Sequence, residues 1–228
     1  MTSHFITGAG SGIGRVLTER LFERGDELWL LARDEDRAAN LLTAFPSART
    51  VVADLANPGS LATVMDAQLP EHLDSLLHVA GIVELGYVAE TPVDTWQQQL
   101  NVNAVAPAEL TRILLPALRA ARGHVVFVNS GAGLRVGAGW GSYAASKFAV
   151  RAIADGLREE ERANGVRVTT VYPGRTATLM QEKVHRQEGA DYDASRWMRA
   201  SSVATTILTA LDLPPDAEIT ELMVRPRG

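Results

Sequence analysis

Short apolar runs alternate along the chain with longer segments in which apolar residues recur every third or fourth position. The runs His4–Thr7, Leu28–Ala32, Thr50–Ala53, Leu76–Val79, His124–Asn129, Arg167–Tyr172 and Glu221–Val224 predict strands. Helical spacing predicts helices over Gly14–Arg24, Arg37–Phe45, Ser60–Gln68, Val93–Arg122, Ser142–Asn164 and Ser201–Leu211. In the first of these, Val16, Leu17, Leu21 and Phe22 share one face. Pro107 predicts a joint within Val93–Arg122, because proline removes a ladder donor and crowds the preceding turn. Strands this apolar are expected to be covered on both faces, as in a parallel sheet. The strand–helix alternation therefore predicts an α/β fold, a Rossmann-type doubly wound sheet with helices on both faces. Right-handed crossovers bring the strand C-termini to one edge, where ligands bind. No linker, repeat or low-complexity tract interrupts residues 1–228, which read as a single domain. Between Thr178 and Ser202 the pattern is less regular, and a substrate lid is expected at about 179–202.

Composition narrows the classes. The chain is 46% hydrophobic and 21% charged over 228 residues, so burial alone can hold one core. A net charge of −5 argues against a nucleic-acid binder that relies on an overall basic field. The lack of cysteine excludes disulfides, thiolate metal sites and a cysteine nucleophile, and fits a reducing cytoplasm. The opening MTSHFITGAG has no signal-peptide pattern, and no apolar run is long enough to span a membrane. Histidines 4, 72, 78, 124 and 185 show no metal-ligand spacing, so no metal site is expected.

The first strand runs into Thr7-Gly8-Ala9-Gly10-Ser11-Gly12-Ile13-Gly14, and a helix follows. Glycines let the backbone turn tightly against a pyrophosphate, and the helix start offers free N–H groups and partial positive charge. In this strand–turn–helix context the residues predict a dinucleotide site. After the second strand comes Arg33, whose guanidinium suits a 2′-phosphate through paired hydrogen bonds. Asp34 keeps an NAD reading alive, although its place suits a helix cap. NADP(H) is therefore preferred and NAD(H) left open. Asp54, with Leu55 beside it after the third strand, could accept from an adenine amino group; the alternative for Asp54 is capping of the next element.

Tyr143 and Lys147 fall one helical turn apart, on one face. A free phenol has a pKa of about 10, too high for easy proton exchange at neutral pH, and a neighbouring cation is expected to lower it. Ser130 lies just past a buried strand, where its hydroxyl could polarise a carbonyl oxygen. Taken with the glycine-rich turn, these residues resemble the short-chain dehydrogenase/reductase family over nearly the whole chain. Thr7–Gly14 matches that family's TGxxxGIG loop, Asn103 its active-site Asn, with Asn101 the weaker candidate, and Ser130 its catalytic Ser. Tyr143 and Lys147 match YxxxK, while Pro173-Gly174-Arg-Thr176-Ala-Thr178 matches the loop that closes over the nicotinamide. The family's NNAG reads His78-Val79-Ala80-Gly81 here, which retains the Ala-Gly and leaves open whether His78 supplies the missing bracing or is a core histidine.

The resemblance implies a seven-stranded parallel sheet of order 3-2-1-4-5-6-7. It also implies hydride transfer between NADP(H) and a ketone or aldehyde, or the reverse, with Tyr143 as general acid/base. Lys147 would hold the nicotinamide ribose, Ser130 the developing alkoxide, and Asn103 a water that relays protons to Lys147. Cofactor contacts are expected from Gly8, Ser11, Gly12, Ile13, Gly14, Arg33, Asp54, Leu55, Ala80, Gly81, Tyr143, Lys147, Pro173, Gly174, Thr176 and Thr178. Leu134, Trp140, Met180, Tyr192, Trp197 and Met198 could line an apolar or aromatic substrate pocket. The resemblance further implies a homodimer or homotetramer through helices at about 94–121 and 143–164. The competing readings are a non-catalytic NAD(P)-sensing regulator of the same fold and a sugar-nucleotide epimerase. The intact Asn–Ser–Tyr–Lys set weighs against the first, and the Gly8-to-Gly12 spacing against the second.

Overall fold

The central strands are runs of mostly apolar, branched or aromatic residues, and the helices Gly12–Glu23, Glu35–Ala44, Ala106–Ala121, Gly141–Glu161 and Ala200–Leu211 each bury an apolar face. The computed structural model describes residues 1–65 and 70–227. In chain order the elements are β1 (Ser3–Thr7), α1 (Gly12–Glu23), β2 (Glu27–Ala32), α2 (Glu35–Ala44), β3 (Arg49–Val52), α3 (Leu61–Met65), β4 (Ser75–His78), α4 (Val93–Leu100), α5 (Ala106–Ala121), β5 (His124–Val128), α6 (Gly141–Glu161), β6 (Arg167–Pro173), β7 (Thr176–Ala177), α7 (Leu179–Glu188), β8 (Met198–Arg199), α8 (Ala200–Leu211) and β9 (Glu221–Val224). The part of the predicted Ser60–Gln68 helix beyond Met65 lies outside the described residues.

Seven strands form one sheet in the order β3-β2-β1-β4-β5-β6-β9, with every neighbouring pair parallel. Side chains alternate between its two faces. Phe5, Trp29, Leu31, Val51, Leu76, Val125 and Phe127 pack on one side with α5 and α6, through Leu110, Leu114, Leu118, Val150 and Ala154. Ile6, Leu28, Leu30, Leu77, Val126 and Val171 pack on the other with α1, α2 and α8, through Leu17, Leu21, Leu41, Val203 and Ile207. A side chain of this size contributes about 1.5–3 kcal/mol when fully buried, so two such layers are the main source of stability. Among the described residues no helix is long and apolar enough to cross a membrane.

Two segments differ from the sequence expectation. The joint in the long Val93–Arg122 segment falls one turn before Pro107, as a π-helical turn over Asn101–Val105 in which Ala106 N–H donates to the Asn101 carbonyl. Pro107 causes it at a distance: it has no N–H for the carbonyl four residues back, which belongs to Asn103, so the ladder loosens there. The region after Thr178 contains a regular helix. The Thr178 hydroxyl caps α7 by accepting from Gln181 N–H, and Gly189 ends it in the left-handed region. Its sequence, LMQEKVHRQE, is too polar to show a helical apolar stripe.

His78 and His124 are buried in adjacent strands. His78 Nε2 pairs with Thr111 Oγ1 at 2.9 Å, and His124 Nε2 with Thr169 Oγ1 at 2.7 Å. Thr111 donates its own proton to the Pro107 carbonyl and Thr169 to the Ile219 carbonyl, so each imidazole is the donor to its threonine. Burial pushes both imidazoles down to about 3, helped at His124 by the nearby Arg167. Each thus stays neutral in the fold but takes a proton near pH 6.5 once unfolded, and the stability this gives is present above 6.5 and lost as pH falls toward 3. His124→Gln keeps a donor for Thr169 and removes one such site. Urea melts between pH 6.5 and 4 should show a shallower loss of stability than in the parent protein; an unchanged slope would assign the acid sensitivity elsewhere.

Candidate active site

The C-terminal ends of β1, β2, β4, β5 and β6 form one edge. At its centre the β1–α1 turn folds back on itself. Gly8 adopts φ +76°, and a Cβ there would stand 2.8 Å from Ala80 N, so no other residue fits. A Cβ on Gly14 would stand 2.1 Å from the Gly8 carbonyl oxygen. Ser11 precedes α1 in an extended conformation without capping it, and no acid occupies the first turn. The amide groups of Gly12, Ile13 and Gly14 therefore begin the helix without a side-chain partner, and its positive end faces the edge.

At the tip of β2, Asp34 is committed to structure. Its carboxylate accepts from Arg37 N–H at 2.9 Å and caps α2, and that hydrogen bond, with Arg37 and Arg33 nearby, holds its pKa below the usual range. Arg33 and Arg37 flank it at 3.5 and 3.3 Å, both with exposed guanidinium groups. Sequence reasoning missed Arg37, although its i+3 spacing from Asp34 signals the pairing. Asp54 Oδ1 accepts from Ala56 N–H at 2.9 Å, a local turn, and the Leu55 side chain is buried in the core.

The segment that departs from NNAG is braced from β1. Thr7 Oγ1 accepts from both Val79 N–H and Ala80 N–H at 3.1 Å, tying the end of β4 to that of β1. His78 reaches away, to Thr111, and stacks on Phe127 with ring centroids 4.9 Å apart, as a core histidine does.

The π turn aims Asn103 inward. Its side chain accepts from Ile82 N–H at 2.8 Å and donates to the Ile82 carbonyl and Ser146 Oγ, both at 2.9 Å. Asn101 points elsewhere, to the Ala56 carbonyl. Asn129, unnoticed in the sequence, is a second clip: it accepts from Ser130 N–H at 2.8 Å and donates to the Lys147 carbonyl at 3.0 Å. Gly133 makes room for it, since a Cβ there would stand 2.5 Å from Asn129 Oδ1.

These clips gather Asn103, Ser130, Tyr143 and Lys147 around one point. A Cβ on Gly81 would be 3.3 Å from Asn103 Oδ1 and 3.7 Å from Lys147 Nζ. Lys147 Nζ lies 5.9 Å from the centre of the Tyr143 ring, and its one hydrogen-bond acceptor among the described residues is the Val128 carbonyl, at 3.1 Å. Burial pushes the Lys147 ammonium down to about 8. It also pushes the Tyr143 phenol up, with the Ser130 hydroxyl pulling the other way. The shift of the phenol is thus opposite to the lowering expected from Lys147: desolvation of the phenolate sets its direction, and the Ser130 hydrogen bond opposes it.

The Pro173-Gly174 loop closes the far side. Gly174 N–H donates to the Val224 carbonyl at 2.7 Å, Thr176 Oγ1 to the Gly174 carbonyl at 3.0 Å, and the Thr178 methyl would stand 3.2 Å from a Cβ on Gly12. Beyond it, α7 lies over the phenol. Val184 shares a buried cluster with Tyr143 and Val83, edged by Leu85, Ala132 and Trp140. Of the residues expected to line a pocket, Trp140 and Met180 reach this region, with Trp140 edge-on to Tyr143 at 5.9 Å. Tyr192 and Trp197 instead surround His185 behind α7, Met198 packs into the core beneath α8, and Leu134 is half-buried after the serine turn. Aromatic and sulfur side chains attract notice in a sequence, whereas the small apolar residues that meet the phenol do not.

The residues fit a dinucleotide. The turn would be filled by any Cβ at Gly8 or Gly14, the helix start is uncapped, and a buried ammonium has donors to spare. A family model described as short chain dehydrogenase matches residues 3–189. An uncharacterized oxidoreductase of Staphylococcus epidermidis is 27% identical, over 97% of this chain and 95% of its own length. A short chain dehydrogenase structure from Shigella flexneri, complexed with NADP, is 26% identical with a TM-score of 0.86, covering 97% of this chain and 95% of that one. The structure of a 4-hydroxyisoleucine dehydrogenase complexed with NADH has a TM-score of 0.85 at 21% identity, covering 99% of this chain and 98% of that one, and is similar in fold.

Proposed function

The chain belongs to the short-chain dehydrogenase family of oxidoreductases, and on that premise we propose that it reduces a ketone or aldehyde to an alcohol, or runs the reverse, with NADP(H) as its preferred partner. The observation that carries this reading is the buried Tyr143–Lys147 pair, met by Ser130 and Asn103 at the sheet edge that also holds the glycine turn. NADPH, when bound, supplies the hydride. Gly8, Ser11, Gly12, Ile13 and Gly14 would hold its pyrophosphate, Asp54 and Leu55 its adenine end, and Ala80, Gly81, Pro173, Gly174, Thr176 and Thr178 the nicotinamide half, with Lys147 on the ribose. Tyr143 Oη, protonated at neutral pH as an ordinary phenol is and kept so by burial, gives its proton to the substrate oxygen. The Ser130 hydroxyl donates to the same oxygen as charge develops on it. Lys147 stays positively charged below about pH 8 and holds potential and orientation at the phenol. Asn103 fixes the loop over Gly81 and would order a water toward Lys147. The apolar wall of Val83, Leu85, Trp140 and Val184 suits an apolar or aromatic substrate. Exposed Val105 and Phe148 on the α5 and α6 side support association of copies there.

A panel of aldehydes, ketones and alcohols assayed with NADPH, NADH, NADP and NAD tests the reading. NADPH-dependent turnover is expected. Tight nucleotide binding with no turnover across the panel would instead make the chain a sensor. Arg33→Ala reports on cofactor choice. A hydrogen bond to a charged group contributes about 1.5–3 kcal/mol, and the exposure of Arg33 places its share at the lower end, so NADPH affinity should fall about tenfold while NADH affinity holds. Equal losses for both nucleotides, by fluorescence titration, would remove Arg33 from that role.

A further inference from the structure

Outside the reacting groups, one polar chain connects the helix that carries the phenol to the helix that covers it. Gln99, on α4, is completely buried, and its position four residues before Asn103 places it on the same face. Its side chain treats Glu84 as Asn103 treats Ile82: Oε1 accepts from Glu84 N–H at 3.0 Å, and Nε2 donates to the Glu84 carbonyl at 3.1 Å. Nε2 also donates to Ser142 Oγ at 2.8 Å, the residue directly before Tyr143. The Ser142 hydroxyl in turn donates to the Glu84 carbonyl at 3.3 Å. The Glu84 side chain then leaves the cluster and grips α7. It accepts from Lys183 Nζ at 2.5 Å and from the Gln187 carboxamide, whose oxygen accepts from Leu85 N–H at 3.2 Å. Val184, between those two positions, is the residue that packs on Tyr143.

We infer that Gln99 and Glu84 are positioning residues that set how α7 closes over the phenol, Gln99 by fixing the Glu84 backbone to Ser142 and Glu84 by latching Lys183 and Gln187. The backbone end of this chain is buried and fully hydrogen-bonded, whereas the latch is near half-exposed, at 43% for Glu84 and 44% for Lys183. The rigid end therefore defines one closed position, and the weak end lets α7 lift. An exposed ion pair biases such an equilibrium by about 2–5-fold, and salt screens it.

The inference rests on the proposed reaction only in its kinetic arm. Hydrogen exchange of the α7 amides in the full-length protein is the primary readout. Glu84→Gln should speed exchange over residues 179–188 about 2–5-fold at low salt, and raising salt should speed it in the parent protein but not in this variant. The double exchange Glu84→Lys with Lys183→Glu should restore protection. Gln99→Met should loosen α7 although both latch charges remain, and if it fails to fold the surface variants still decide. In turnover, Glu84→Gln should raise the KM for the carbonyl by a similar factor and move kcat less. Parent-like exchange in Glu84→Gln at low salt, or no restoration by the charge exchange, overturns the latch. Absence of turnover with every carbonyl removes the reaction and leaves the exchange result standing.

Discussion

Tyr143→Phe should lower kcat/KM for carbonyl reduction by about 10²–10⁴, the usual contribution of a positioned general acid. The substitution is conservative because phenylalanine keeps the ring that Tyr143 contributes to the buried cluster with Val83 and Val184, where the residue is only 6% exposed. Melting temperature and NADPH affinity should therefore stay close to the parent values. The pH profile adds a second readout. Lys147, with its pKa lowered to about 8, is charged below that value and neutral above it. Reduction by the parent enzyme should decline as pH rises through about 8, while the residual rate of Tyr143→Phe stays flat there. Undiminished turnover in the variant would take the proton-donor role from Tyr143.

Gly14→Ala should have the second largest effect. In most helices the change gains stability, by up to about 1 kcal/mol. Here the new methyl would meet the Gly8 carbonyl oxygen at 2.1 Å, a backbone atom that no rotamer change can move. Overpacking of this kind typically costs about 1–3 kcal/mol, and relief requires α1 to separate from the turn. A shift of about 1 Å in a positioning element can cost about 10²-fold in rate, so nucleotide binding and turnover should fall together by that order. Gly10→Ala is the control in the same loop: nothing lies within 4 Å of its would-be Cβ, and affinity should hold. Equal nucleotide affinities in the two variants, by calorimetry, would show that the turn tolerates opening.

The sheet and the glycine turn were legible because their signals are local. Burial of nearly every residue along β1, β2 and β4 follows from apolar runs, and the Gly8–Gly14 spacing carries its own geometry. Tyr143 and Lys147 were legible for the same reason, being one turn apart on one helix. What escaped depends on partners distant in sequence. Gln99 and Asn129 look like ordinary polar residues until Glu84, Ser142, Ser130 and Lys147 are brought against them. Pro107 marked a joint correctly, yet the consequence fell on the carbonyl of Asn103, four residues earlier, and so turned a helix defect into the feature that aims the site's amide. The sign of the phenol shift was misread because one turn of helix shows a charge neighbour but not the depth of burial that opposes it. Polar α7 was missed since it takes its place from the latch, from Val184 and from the aromatic contacts of His185, not from an apolar stripe.

The parallel order of the sheet has a kinetic consequence. Pairing β1 with β4 brings His4 beside Ser75, and pairing β6 with β9 brings Thr170 beside Glu221; every neighbouring pair in the described sheet is parallel, so none is joined by a hairpin. Such non-local pairing requires loop closure before any reward is collected, which slows folding. The groups around the phenol come from segments near residues 81, 103, 130 and 143–147, on both sides of the central crossovers. A nascent chain therefore holds no partial version of this chemistry, and activity should emerge in one late step as the sheet closes.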